Sequence, residues 1–159
     1  MALEIERKFL VSSDAWRAEV RHSESMRQAY LGGDGVSVRV RIAGERALIN
    51  IKQNRLGIAR EEFEYPVPMD DGLRLMELGN GGRLEKIRHY IPREGLTWEI
   101  DEFQGDNFGL VVAEIELSST DQDFARPSWL GREVTDEVRY YNVALAVRPY
   151  RSWSGEDSA

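Results

Sequence analysis

The feature that most constrains this chain is an alternation of apolar and polar residues with a period of two, repeated in eight short segments. They run approximately Glu4–Val11, Ser25–Leu31, Val36–Ala43, Arg46–Gln53, Ala59–Val67, Arg83–Ile91, Leu96–Phe103 and Leu110–Leu117. That period puts successive side chains on opposite faces of a β-strand. Gly32-Gly33-Asp34-Gly35, Ala43-Gly44-Glu45 and Gly105-Asp106-Asn107 offer residues that accept positive φ, and such short links join antiparallel neighbours. Helical signals are confined to Ala15–Val20 behind Ser12-Ser13-Asp14, Met69–Leu78 ended by Gly79, Thr120–Ala125 ahead of Pro127, and Asn142–Val147. The expectation is a mainly β (α+β) fold, an eight-stranded antiparallel barrel or sandwich with a few helices outside. It occupies one domain over residues 1–150, with a flexible tail over 151–159.

The face each charge occupies carries more information than the number of strands. Glu4, Glu6 and Lys8 oppose Leu3, Ile5 and Phe9, while Arg39 and Arg41 oppose Val38, Val40 and Ile42. Lys52 opposes Ile49 and Ile51, Glu62 and Glu64 oppose Phe63 and Tyr65, and Lys86 and Arg88 oppose Ile87. Glu99 and Asp101 oppose Trp98 and Ile100, and Glu114 and Glu116 oppose Ala113, Ile115 and Leu117. On any one strand this is what a half-solvated sheet shows. Same-sign doublets at i, i+2 recur, however, four acidic and two basic. Like charges on one face repel, so they call for counter-charges or ligands. A barrel closed with these faces inward brings the doublets together across a lumen and turns the apolar faces outward, to be covered by helices or by a second subunit. Spacing alone does not choose between inward and outward.

Composition narrows the chemistry. Acidic residues number 28 against 21 basic ones, a formal charge of −7, which argues against a protein that coats nucleic acid. Cysteine is absent and His22 and His89 are the only histidines, so thiolate catalysis, disulfides and His- or Cys-based metal sites are set aside. Clustered carboxylates suit a hard divalent cation, Mg²⁺ or Mn²⁺, and clustered Arg and Lys suit phosphate. A lumen with both fits a metal-bound polyphosphate, and fits a buried structural ion-pair network equally well. The glycine-rich turns lack the Walker Lys-Ser/Thr, no serine has a recognisable histidine partner, and His89 and the four tryptophans read as packing residues. With no signal-like segment and no apolar run of membrane-spanning length, the expectation is a cytoplasmic protein with neither a membrane nor a nucleic-acid partner.

At Glu4-Ile5-Glu6-Arg7-Lys8 the sequence resembles the Glu-x-Glu-x-Lys signature of the CYTH superfamily, the triphosphate tunnel metalloenzymes. The likeness continues through Val38-Arg39-Val40-Arg41, Ile51-Lys52, Glu62-Phe63-Glu64, Glu85-Lys86-Ile87-Arg88, Glu99-Ile100-Asp101, Glu114-Ile115-Glu116, Val134-Thr135-Asp136 and Arg139-Tyr140-Tyr141-Asn142. The resemblance implies an eight-stranded antiparallel tunnel that hydrolyses or cyclises triphosphate compounds with a divalent metal. It implies that Glu4, Glu6 and Glu116 hold a metal shared with the triphosphate, and that Glu62, Glu64, Asp101 and Glu114 place a second metal or the attacking water. Lys8, Arg39, Arg41, Lys52, Lys86, Arg88 and Arg139 then form the phosphate clamp, with Lys86 a candidate for activating water and Tyr30 a modulator at the mouth. Tyr30 and Arg139 are the two that the face analysis does not itself single out. One departure is Val138, where the family often has a basic residue.

The compact length and the charged, aromatic-poor lumen favour an inorganic triphosphatase. A class IV adenylate cyclase-like enzyme, a nucleoside or thiamine triphosphatase, and a noncatalytic polyphosphate-binding module are the alternatives. Apolar outer faces also admit a homodimer.

Overall fold

The computed structural model describes residues 3–153. Eight antiparallel strands carry the architecture: β1 (Leu3–Val11), β2 (His22–Gly32), β3 (Val36–Ala43), β4 (Arg46–Gln53), β5 (Ala59–Val67), β6 (Arg83–Arg93), β7 (Leu96–Phe103) and β8 (Val111–Glu116). Their hydrogen-bonded order is β5-β4-β3-β2-β6-β7-β8-β1, and β1 pairs back onto β5, which closes the sheet into a barrel. Four of the eight segments read from the alternation differ from these strands by a few residues at most, and β3, β4, β5 and β7 coincide with them.

Closure sorts the alternating side chains. Ile5, Phe9, Ile91, Trp98, Ile100, Ala113 and Ile115 form an apolar outer layer. Trp16 from the 3₁₀ turn Ala15–Glu19, Trp129 and Phe124 cover it, with the Trp98 ring edge-on to both Trp129 and Phe124. Across β2, β3 and β4 the cover is α1 (Met69–Leu78), whose Gly72 lies so close to Ile42 and Ala47 that a Cβ there would collide with the Ala47 side chain. A second cluster joins Leu84, Phe103 and Val112 from the barrel to Val134, Tyr140, Leu145 and Trp153. It seats α2 (Asn142–Val147), which approaches β6 where Gly82 takes φ +100° and leaves no room for a Cβ beneath Ala146. Burial of each such aromatic or branched side chain stabilises the fold by ~1.5–3 kcal/mol.

Two expectations are corrected, and one short strand is added outside the eight of the barrel. Thr120–Ala125 is a turn followed by chain without regular structure, not a helix. The Gln122 side chain accepts the Ser118 N–H at 2.6 Å, and Phe124 packs edge-on against Phe9 and Trp98 of the outer layer. A ninth strand, β9 (Leu130–Glu133), pairs with β1 on the edge opposite β8, beyond the reach of β5; four residues are too few for an alternation to show. Within 151–153, Trp153 is packed rather than loose: its ring meets Tyr140 and Tyr150 edge-on and its Nε1 donates to the Arg148 carbonyl. The rest of the expected tail, 154–159, lies outside the described residues.

Candidate active site

The inward faces enclose a cavity of about 580 Å³. Glu4, Glu6 and Lys8 reach it from β1, Arg39 and Arg41 from β3, and Lys52 from β4. Glu62 and Glu64 come from β5, Lys86 and Arg88 from β6, Glu114 and Glu116 from β8, and Tyr30 from β2. Two residues expected at the site stand elsewhere. Asp101 is fully buried behind the wall, where its oxygens accept from Lys86 Nζ at 2.7 Å and from Arg88 Nε and Nη2 at 2.7 and 2.9 Å. Arg139 is not part of the cavity lining: its guanidinium stacks on Tyr140 and Trp153, 5.1 and 4.9 Å from the ring centres, with Glu137 at 3.8 Å. Val138 beside it does reach the lining.

The basic wall is unevenly compensated. Lys8 Nζ lies 3.3 Å from Glu114, and Arg88 contacts Asp101, Glu99 and Glu114. Lys86 has Asp101 and, at 2.9 Å, Oδ1 of Asn142 from the start of α2. Its amine is held well below the usual lysine range, first by burial and then by the positive charge of Arg88. Arg39 and Arg41 are only 7% and 8% exposed, yet no carboxylate oxygen comes within 4.0 Å of either guanidinium among the described residues. Arg39 donates to the Tyr30 hydroxyl at 3.5 Å and Arg41 to the Gln28 side-chain carbonyl at 2.8 Å. Burial, with Arg39 and Arg88 nearby, pulls the Arg41 pKa down to about 10. A buried charge without a counter-charge is costly, and an anion in the cavity removes the cost.

The acidic side shows the converse strain. Burial, the Glu6 charge and a hydrogen bond with Glu62 push the Glu4 pKa up to about 9. Lys52 Nζ sits between them, 3.0 Å from Glu4 and 3.2 Å from Glu62, and Arg60 lies 3.8 Å from Glu6. Among the described residues no three carboxylates or imidazoles are drawn tightly enough together to form a ready-made metal cage, because these cations stand between them. The donor set nonetheless suits a hard cation, since Glu4, Glu6, Glu62, Glu64, Glu114 and Glu116 all present carboxylates to the cavity.

Several lining residues lie outside the set expected from the sequence. Arg60 precedes Glu62 by two positions and Glu99 precedes Asp101 by two, so the same period that marked their neighbours marks them. Tyr90 follows Arg88 by two in the same way. Tyr141 and Asn142 carry no such signal, since the segment after β9 folds back over the barrel end through tertiary packing, with Tyr141 against Arg60 and Lys8.

The CYTH domain family model matches residues 2–150. The chain belongs to the CYTH family. An inorganic triphosphatase of Acetivibrio thermocellus is 41% identical over 155 residues, covering 96% of this chain and 99% of that protein. An inorganic triphosphatase of Nitrosomonas europaea is 35% identical over 150 residues, covering 91% and 97%. A crystal structure of an inorganic triphosphatase superimposes with a TM-score of 0.66 at 34% identity, across 90% of this chain and 97% of that one. CYTH membership accounts for the closed eight-stranded antiparallel barrel and implies a divalent metal. No helix among the described residues is long and apolar enough to cross a membrane.

Proposed function

We propose that this CYTH protein hydrolyses inorganic tripolyphosphate to pyrophosphate and phosphate inside the barrel, with Mg²⁺ or Mn²⁺ as cofactor. The observation that carries the proposal is the pair of nearly buried, carboxylate-free guanidiniums of Arg39 and Arg41 facing a cavity whose other walls carry the Glu4, Glu6, Glu62 and Glu116 carboxylates. A linear, highly charged, metal-binding anion satisfies both sides at once. The two triphosphatase relatives, each covered almost end to end, support the same substrate.

In this reading Arg39, Arg41, Lys8, Lys52 and Arg88 bind the phosphate oxygens, and Arg60 joins them. Glu4, Glu6 and Glu116 would hold the metal, with Glu62, Glu64 and Glu114 completing the acidic set. When bound, the cation neutralises phosphate charge and so favours attack by water. Asp101 acts through Lys86 and Arg88, since its oxygens are already taken by them. Lys86, poised at the wall with a depressed pKa, orients or activates the attacking water, and Tyr30 steers Arg39. Arg139 supports the segment that closes the barrel end and does not contact substrate. The protein works as one domain in the cytoplasm, without nucleic acid or membrane. A homodimer through the outer face of β5, where Phe63 and Tyr65 are exposed, is checked by light scattering, and a monomer mass at assay concentration rejects it.

The test is incubation of the purified protein with tripolyphosphate or with ATP, each with Mg²⁺, with Mn²⁺ and with chelator. Metal-dependent release of orthophosphate from tripolyphosphate is expected. Cyclic AMP from ATP as the dominant product, or no turnover of any triphosphate, overturns the proposal.

A further inference from the structure

The cations of the cavity differ in what holds them. Lys8, Lys52, Lys86 and Arg88 each reach a carboxylate, so the wall's own charge balances theirs. Arg41 is held instead by an uncharged group: its Nε donates at 2.8 Å to Oε1 of Gln28, a residue with no exposed surface. Gln28 lies between Met26 and Tyr30 on the inward face of β2 and pairs directly with Arg41 across the β2–β3 ladder, so backbone register fixes the contact. A glutamate has the same length and shape as glutamine and would satisfy the same N–H. It would also remove the charge imbalance that burial makes costly. Around it Nε2 of Gln28 and Nε of Arg39 are buried without a partner, as is Oδ1 of Asn50, the residue paired with Arg39 across the β3–β4 ladder.

We infer that Gln28 is a positioning residue that aims Arg41 while leaving its positive charge unspent for the phosphate oxygens of a triphosphate. One bond through Nε fixes the plane of the guanidinium and leaves both terminal nitrogens for a bidentate grip. The amide thereby sets selectivity for highly charged anions: a carboxylate at this position trades binding of the ligand for stability of the empty protein. The inference rests on the proposed triphosphate function, which it deepens.

The test compares wild type with Gln28→Glu and Gln28→Met, alone and combined with Arg41→Gln. Steady-state kinetics are read with metal, and tripolyphosphate affinity is read by calorimetry in chelator. Gln28→Glu is expected to raise KM and the chelator-phase Kd at least tenfold while the melting temperature of the ligand-free protein stays level or rises. Gln28→Met is expected to raise KM several-fold with little change in kcat, and with a lower melting temperature. In the Arg41→Gln background neither change should weaken binding much further. Wild-type affinity in Gln28→Glu, or an equal loss in both backgrounds, overturns the assignment, as does a Gln28→Met variant altered in melting temperature alone. Wild type that binds tripolyphosphate without hydrolysing it overturns the proposed activity and spares this assignment; wild type that does not bind it overturns both.

Discussion

Arg7 and Arg41 lie on opposite sides of the barrel wall and are partnered in opposite ways. Arg7, on the outer face of β1, donates through Nε at 2.9 Å and through Nη2 to the two oxygens of Glu133, and its guanidinium rests on the Phe124 ring at 5.2 Å. Its charge is answered where it stands. Arg41, on the inner face of β3, is more deeply buried and has only the Gln28 amide among the described residues. Burial should demand a counter-charge more strongly inside than outside, so its absence inside is the informative fact. Outer pairs tie elements of this fold together, whereas inner charges are kept for something that is not part of the chain.

Substitutions on the two sides should therefore diverge. The largest effect is expected for Glu6→Ala, which should lower metal-dependent turnover by at least about a hundredfold. Its melting temperature should hold or rise, because burial and the Glu114 charge already raise the Glu6 pKa and removal relieves that cost. Turnover at the wild-type rate in a phosphate-release assay would remove Glu6 from the metal set. Next comes Arg41→Ala, expected to raise KM roughly ten- to a hundredfold, about 1.4–2.8 kcal/mol of binding, with no loss of thermal stability. Should KM stay fixed and the melting temperature fall instead, inner and outer arginines would be alike and the contrast would collapse.

A third effect is read by pH. The Glu4 pKa stands near 9 in the fold against an ordinary 4.5, so the contribution of its protonated form is complete below pH 4.5 and is lost as pH rises through about 9. Thermal melts in chelator should show stability declining across that window, and Glu4→Gln should flatten the decline. A metal-free melting curve that does not respond to this substitution would detach Glu4 from the acidic cluster. The smallest effect is expected outside: Arg7→Ala should cost no more than about 1 kcal/mol, as partly exposed pairs do, and leave KM and kcat unchanged.

Much of this was legible in the residues, for a physical reason. A strand's period of two is rigid, so once Arg39 and Arg41 were placed on one face their common destination followed, and β3 to β5 came out at their observed boundaries. The choice of inward over outward was not legible from spacing, because a solvated face and a lumen leave the same alternation. The CYTH resemblance supplied it. Arg139 shows the limit of motif transfer: it sits where a family pattern suggests a phosphate ligand, yet the aromatic pair Tyr140 and Trp153 holds its guanidinium against the closing segment. Asp101 was placed on the correct face but one layer too far forward, since depth behind a wall depends on which neighbours reach it first. Gln28 gives no signal because β2 carries no charged doublet, and an amide between Met26 and Tyr30 looks like a spacer until its partner is known.

β1 divides its hydrogen bonds among three neighbours, and the ladder that shuts the cylinder is short: Leu3, Glu4 and Ile5 against Glu61, Arg60 and Ala59. Every other join around the hoop is a longer ladder. Spontaneous breathing of the wall therefore begins along this short zip, which carries Glu4 on one lip and leads to Glu62 on the other. Any occupant that bonds across those lips doubles as a clasp, and slowed amide exchange at residues 59–61 is the signature by which its arrival can be timed.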